Sequence, residues 1–232
     1  MNFPSRLCAS FAISFLSLTV FAQSHQLAHF TSGNRSVAYD IYGEESTGPL
    51  VIMLHGASGP DVPLYRGLAQ TFATKNYIVL FLHYFDATDT FRASAANYVA
   101  WERAVSDLIL ACRNDPKWSN RKIAILGFSL GASVALAAGS QLVPANAVAE
   151  WYGSLPDEFF YQLKGMPPLL ILHGAHDDNI PVANAKQLIM LCGMKNFKCE
   201  SHIYPDQGHG FLPPDFDNAV IRTLDFFSRE LK

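Results

Sequence analysis

One stretch restricts this chain more than any other. Ile123-Ala124-Ile125-Leu126 is apolar without a break, Gly127-Phe128-Ser129-Leu130-Gly131 follows at once, and residues 132–138 are small or apolar throughout. A buried strand therefore runs into a packed helix across a five-residue turn. Gly127 and Gly131 carry no Cβ, so strand and helix can close tightly on each other. Ser129 between them is forced into a sparsely populated backbone conformation that stands its hydroxyl clear of the sheet end. That hydroxyl also sits at a helix N-terminus, where free N–H groups, Leu130's among them, can face a developing negative charge.

The rest of the chain repeats the same alternation. Strands are expected at residues 36–42, 50–54, 77–82, 123–126, 145–151, 168–172 and 199–204, and helices at 65–74, 95–112, 182–191 and 214–231. Leu50-Val51-Ile52-Met53-Leu54 is apolar at every position, as a central strand covered on both faces must be. Strands alternating with helices mean an α/β architecture, a mostly parallel sheet with helices on both faces. In such sheets ligands bind beyond the carboxyl ends of the strands, so functional side chains should follow strands.

With 232 residues, half of them hydrophobic, the chain suffices for one domain with a substantial core. A formal charge of -3 without a basic stripe argues against a nucleic-acid partner. The first residues read separately: Arg6 precedes an uncharged stretch from Leu7 to Phe21, and Val20-Phe21-Ala22 satisfies the small-residue rule for signal peptidase. Residues 1–22 are expected to be a signal peptide, with an uncleaved anchor as the rival, and residues 23–232 a single exported domain without stable membrane association. Without Cys8, the export compartment receives Cys112, Cys192 and Cys199. Either Cys192 and Cys199 pair across a short connection, or all three stay as buried thiols.

A serine hydroxyl is a poor nucleophile until a base takes its proton, and the base needs an acid to fix its tautomer. Two stretches that follow strands supply both: His173-Gly174-Ala175-His176-Asp177-Asp178-Asn179-Ile180-Pro181, and Tyr204-Pro205-Asp206-Gln207-Gly208-His209-Gly210-Phe211. Serine, acid and histidine then occur in the chain order that this strand–elbow–helix layout requires. Asp177 and Asp178 both stand where the acid is needed. His173 and His176 beside them raise a metal site, but a histidine ending a strand in a His-Gly turn is an ordinary structural feature, and no metal is expected.

These motifs resemble the dienelactone hydrolase family of α/β-hydrolases: the elbow at Ser129, the His-Gly-x-x-Asp-x-x-Ile-Pro stretch ending at Pro181, Gly-His-Gly-Phe around His209, and Tyr152-Gly153. The resemblance implies the α/β-hydrolase fold, Ser129 as nucleophile, Asp177 rather than Asp178 as acid, and His209 as base. It also places a second oxyanion donor after the strand ending at Leu54, in His55-Gly56-Ala57, where the Ala57 amide would join that of Leu130. The family proper uses cysteine as nucleophile and arginines to hold a substrate carboxylate. This chain has serine, and Leu212-Pro213-Pro214 follows its Gly-Phe. Arg92 is the nearest candidate for such an arginine, and His55 and Tyr84 are candidate substrate contacts. Tyr84, Phe85, Phe91, Phe159 and Phe160 could line an acyl pocket. The expected activity is hydrolysis of small esters or lactones through an acyl-enzyme, without a cofactor; a peptidase and a hydrolase-fold binding protein are the alternatives.

Overall fold

The computed structural model describes residues 25–141 and 143–232; the expected signal peptide lies outside them. Eight strands form one sheet in the order β1-β2-β4-β3-β5-β6-β7-β8. They are β1 (Gln26–Ser32), β2 (Arg35–Tyr42), β3 (Leu50–Leu54), β4 (Ile78–Leu82), β5 (Ile123–Phe128), β6 (Ala147–Trp151), β7 (Leu169–Gly174) and β8 (Cys199–Tyr204). From β4 to β8 every neighbour is parallel; β1 and β2 add an antiparallel edge. The strands β3, β4, β5, β6 and β7 are buried at every residue, as their largely apolar sequences require, with Glu150 of β6 and His173 of β7 as buried polar exceptions.

Alternate residues of these strands feed two cores. On one face Ile52, Ile125, Val148 and Ile171 pack with Trp101 and Val105 of α2 (Ala95–Asn114), Val134 of α3 (Leu130–Ser140) and Leu188 of α5 (Ala183–Lys195). On the other, Val51, Leu126, Ala149 and Leu170 meet Leu68 and Phe72 of α1 (Pro63–Thr74) and Phe226 and Phe227 of α6 (Asp215–Glu230). Only a one-turn helix, α4 (Asp157–Phe160), breaks the segment after β6. The chain thus has the α/β-hydrolase fold expected of it. No helix among the described residues is long and apolar enough to cross a membrane.

The structure adds β1, which pairs with β2 along its whole length. Its burial alternates between exposed and half-buried, so its sequence carries no continuous apolar signal. The cysteine alternatives resolve into a Cys192–Cys199 disulfide joining the last turn of α5 to the first residue of β8, with Cys112 buried and free. Burial pushes the Cys112 thiol up to about 12, which keeps it an inert packing group.

Candidate active site

Ser129 occupies the turn between β5 and α3 at φ 53° and ψ -119°, a region that side chains rarely adopt. Its N–H donates to the Trp151 carbonyl of β6 (2.9 Å), and its own carbonyl accepts from Ala132 (2.9 Å) and Ser133 (3.1 Å), so sheet and helix hold it from both sides. A Cβ on Gly131 would collide with the carbonyl oxygens of Leu54 and His55, which shows how closely the first turn of α3 docks on the end of β3. Beyond that end, a Cβ on Gly56 would lie 3.4 Å from Ser129 Cβ. The turn carrying Ala57 therefore runs beside the serine. Gly56 N–H is already donated to Tyr65 Oη of α1 (3.0 Å), while Ala57 is exposed and its amide bonds to no described residue. Leu130, first residue of α3, has no acceptor one turn back for its N–H.

Three side chains from three strand ends meet here. Ser129 Oγ lies 2.8 Å from His209 Nε2, and His209 Nδ1 lies 2.9 Å from Asp177 Oδ2. The Asp177 carboxylate is fully buried, and its Oδ1 accepts the N–H groups of Asn179 (2.9 Å) and Ile180 (2.8 Å). A carboxylate spanned in this way has one oxygen fixed by backbone and the other left for the imidazole. Asp178, by contrast, is exposed. His173 Nε2 donates to the Ile180 carbonyl (2.8 Å) and approaches Asp177 Oδ2 (3.3 Å); burial lowers its affinity for a proton, so it braces the acid as a neutral ring. No cluster of three or more metal-ligating side chains occurs among the described residues.

Two expected substrate contacts are corrected. The His55 and Tyr84 rings are both fully buried, stacked on each other with centroids 4.4 Å apart, and Tyr84 Oη donates to the His55 carbonyl (2.9 Å). Burial holds the His55 imidazole down at about 4, uncharged. A short 3-10 turn at Tyr84–Ala87 tucks Tyr84 inward against Trp101, so both rings pack the core and neither faces a substrate. Arg92 is exposed in the loop before α2, its carbonyl accepting from Asn97, and no contact links it to the three side chains. Of the aromatic candidates, Phe159 is buried and Phe91 projects into solvent.

Two residues take places at the site that the sequence reading did not assign them. Tyr152 stands at φ 48° just after β6 and sets its ring edge-on to His209, centroids 5.0 Å apart. Glu150, two residues earlier, is wholly buried on a strand otherwise apolar, its Oε2 accepting Gly153 N–H (2.8 Å). That bond pins the turn on which Tyr152 stands. Burial, with Asp177 nearby, raises the Glu150 carboxyl to about 8, so it is a neutral acid at pH 7. The folded state holds this proton where the unfolded chain releases it above about pH 4.5, so stability falls as pH rises from there towards 8. Glu150→Gln keeps the acceptor and removes the titration. Its urea-unfolding free energy should exceed the parent's at pH 8 and converge with it near pH 5, each pH unit of that window contributing up to about 1.4 kcal/mol. Parallel curves for the two proteins would show that Glu150 does not hold the proton.

Comparison with known proteins agrees with the fold. A dienelactone hydrolase-like promiscuous phosphotriesterase from metagenomic libraries superposes with a TM-score of 0.76 at 14% identity, over 90% of this chain and 99% of the other. An esterase of Pyrococcus furiosus does so at 0.73 and 16%, over 99% and 98%. In sequence, a candidate carboxymethylenebutenolidase of Escherichia coli (strain K12) is 24% identical over 215 residues, 80% of this chain and 78% of its own. Dipeptidyl aminopeptidase BIII of Pseudoxanthomonas mexicana is 27% identical over 226 residues, 77% of this chain; the match spans 32% of that longer protein. These relatives are hydrolases, esterase and peptidase alike. The model of the dienelactone hydrolase family matches residues 38–223, from β2 to α6, and the chain belongs to that family.

Proposed function

We propose that this protein is an exported serine hydrolase that cleaves small carboxylic esters or lactones through an acyl-enzyme on Ser129. The observation that carries the reading is the unbroken chain of contacts from Ser129 Oγ through the His209 ring to the buried Asp177 carboxylate. His209, kept by Asp177 in the tautomer with its proton on Nδ1, presents the Nε2 lone pair to the serine hydroxyl. Ser129 attacks the carbonyl carbon as its proton moves to His209 Nε2. The carbonyl oxygen, now negative, is received by the Leu130 and Ala57 amides, each such donor being worth about 3 kcal/mol in the transition state. His209 returns the proton to the leaving oxygen, and a water repeats both steps on the acyl-enzyme.

The test is labelling of the protein with a fluorophosphonate, followed by mass spectrometry of the modified peptide and assay on p-nitrophenyl acetate and butyrate. Adduct on Ser129 with ester turnover is expected. A folded protein that neither labels nor turns over would be a binding member of the family instead. Turnover of dipeptide p-nitroanilides far above that of esters would support the peptidase reading that the likeness to the aminopeptidase raises.

Export rests on the leader-like residues 1–22 and on the Cys192–Cys199 disulfide, a bond that persists in oxidising compartments. The bridge closes a short loop and should contribute about 2–3 kcal/mol through the entropy of the unfolded chain. Cys192→Ser with Cys199→Ser should lower the unfolding free energy by that amount, and reductant should leave the double variant unaffected. Equal stability of parent and variant would remove this support for export.

A further inference from the structure

Beside His209 the surface opens into a groove of about 390 Å³, and its lining says which alcohol the enzyme releases. This inference rests on the serine hydrolase reading above. Leu64 of α1, Tyr152, Phe211, Leu212 and Phe216 of α6 form its walls. Tyr152 and Phe211 are buried up to the surface they present to the groove, whereas Leu64 (44%) and Leu212 (71%) stand out as large exposed apolar side chains. The loop that frames the groove is tied down: Gln207 Nε2 donates to Asp215 Oδ2 (2.8 Å) and its Oε1 accepts Leu212 N–H (2.9 Å). The groove is therefore built before a ligand arrives.

Mechanism assigns its contents. The proton on His209 Nε2 has to reach the departing oxygen, so that oxygen must come within hydrogen-bond reach of the imidazole. Whatever is attached to it extends past the imidazole, and His209 itself lines the groove. Its charge is one-sided. Apart from His209 itself, the only ionisable group in the lining besides the tyrosine is Asp206, which is exposed and makes no ion pair among the described residues. No lysine or arginine lines it. We propose that this groove is the alcohol subsite, that it takes an apolar leaving group, and that Asp206 turns away alcohols carrying a negative charge.

Three acetate esters of matched size test this, because they share one acyl-enzyme and differ only in the alcohol: phenyl acetate, 3-carboxyphenyl acetate and 3-(trimethylammonio)phenyl acetate. With kcat/KM divided by each ester's hydroxide-catalysed rate, the carboxylate ester should fall about tenfold below phenyl acetate, as a like charge several Å away at a protein surface dictates. The cationic ester should match or exceed phenyl acetate. The gap should shrink as salt shortens the Debye length. Asp206→Asn should narrow the ratio between phenyl and carboxyphenyl esters, and Leu212→Arg, on an exposed position, should invert it. Equal normalised rates for all three esters, or a gap that neither substitution moves, would overturn the subsite while leaving the hydrolase reading intact. Failure to hydrolyse phenyl acetate or to label Ser129 would remove both.

Discussion

Ser129→Ala should lower kcat on p-nitrophenyl esters by about four to six orders of magnitude, the usual loss when a serine nucleophile is removed from an intact triad. What remains would come from the Leu130 and Ala57 amides and from substrate binding, which can hold a carbonyl without attacking it. The variant should fold as well as the parent, because the hydroxyl's only contact in the core of the site is the imidazole at 2.8 Å. Ser129→Gly separates strain from chemistry. At φ 53° and ψ -119° any Cβ is crowded, at a typical cost of about 1–3 kcal/mol, and glycine relieves it. Glycine's extra freedom in the unfolded chain takes back roughly 1 kcal/mol. The glycine variant should be equally inactive yet melt up to about 4 °C higher than the alanine variant. Near-parental turnover by either protein, measured at substrate concentrations spanning KM, would remove Ser129 from the mechanism.

The sequence makes the central sheet and the meeting of Ser129, Asp177 and His209 legible for related reasons. A strand covered on both faces has to be apolar at every position, so Leu50–Leu54 and Ile123–Phe128 announce themselves without reference to any partner. The three polar side chains follow strand ends, and the topology brings those ends to one edge. What stays hidden depends on where a loop folds back. His55 and Tyr84 also follow strands, but the 3-10 turn at Tyr84–Ala87 folds the tyrosine under His55, against Trp101 of the following helix. Glu150 is hidden for the opposite reason. One acidic residue within Ala-Val-Ala-Glu-Trp reads as a strand's exposed position, and only the Gly153 N–H three residues later explains its burial. Tyr152 takes its place against His209 through that same turn. Edge strand β1 escapes because half of its surface faces water, which leaves no apolar run to find.

The geometry around Asp177 leads to the second large effect. Asp177→Asn should reduce kcat by about 10⁴-fold, as the same change does in serine proteases whose triad is assembled alike. Oδ1 accepts two backbone N–H groups and Oδ2 accepts from His209 Nδ1 and lies 3.3 Å from His173 Nε2. Every neighbour of this carboxyl is a donor. An asparagine has to point its amide NH2 at one side or the other. Turned towards Asn179 and Ile180, it breaks both loop bonds. Turned towards His209, it forces Nδ1 to accept, which moves the ring proton to Nε2 and leaves no lone pair for the serine. The first orientation keeps Nδ1–H donating but frees the loop that aims the imidazole, and the second removes the base outright, so both impair proton transfer. The loss should appear mainly in kcat, with KM little changed, because no substrate atom touches a carboxyl that is fully buried. Asp178→Asn is the matched control: the neighbouring acid is exposed and should retain full turnover. Equal losses from Asp177→Asn and Asp178→Asn would assign the acid's role to the loop's net charge, and full activity in Asp177→Asn would exclude Asp177 from orienting His209.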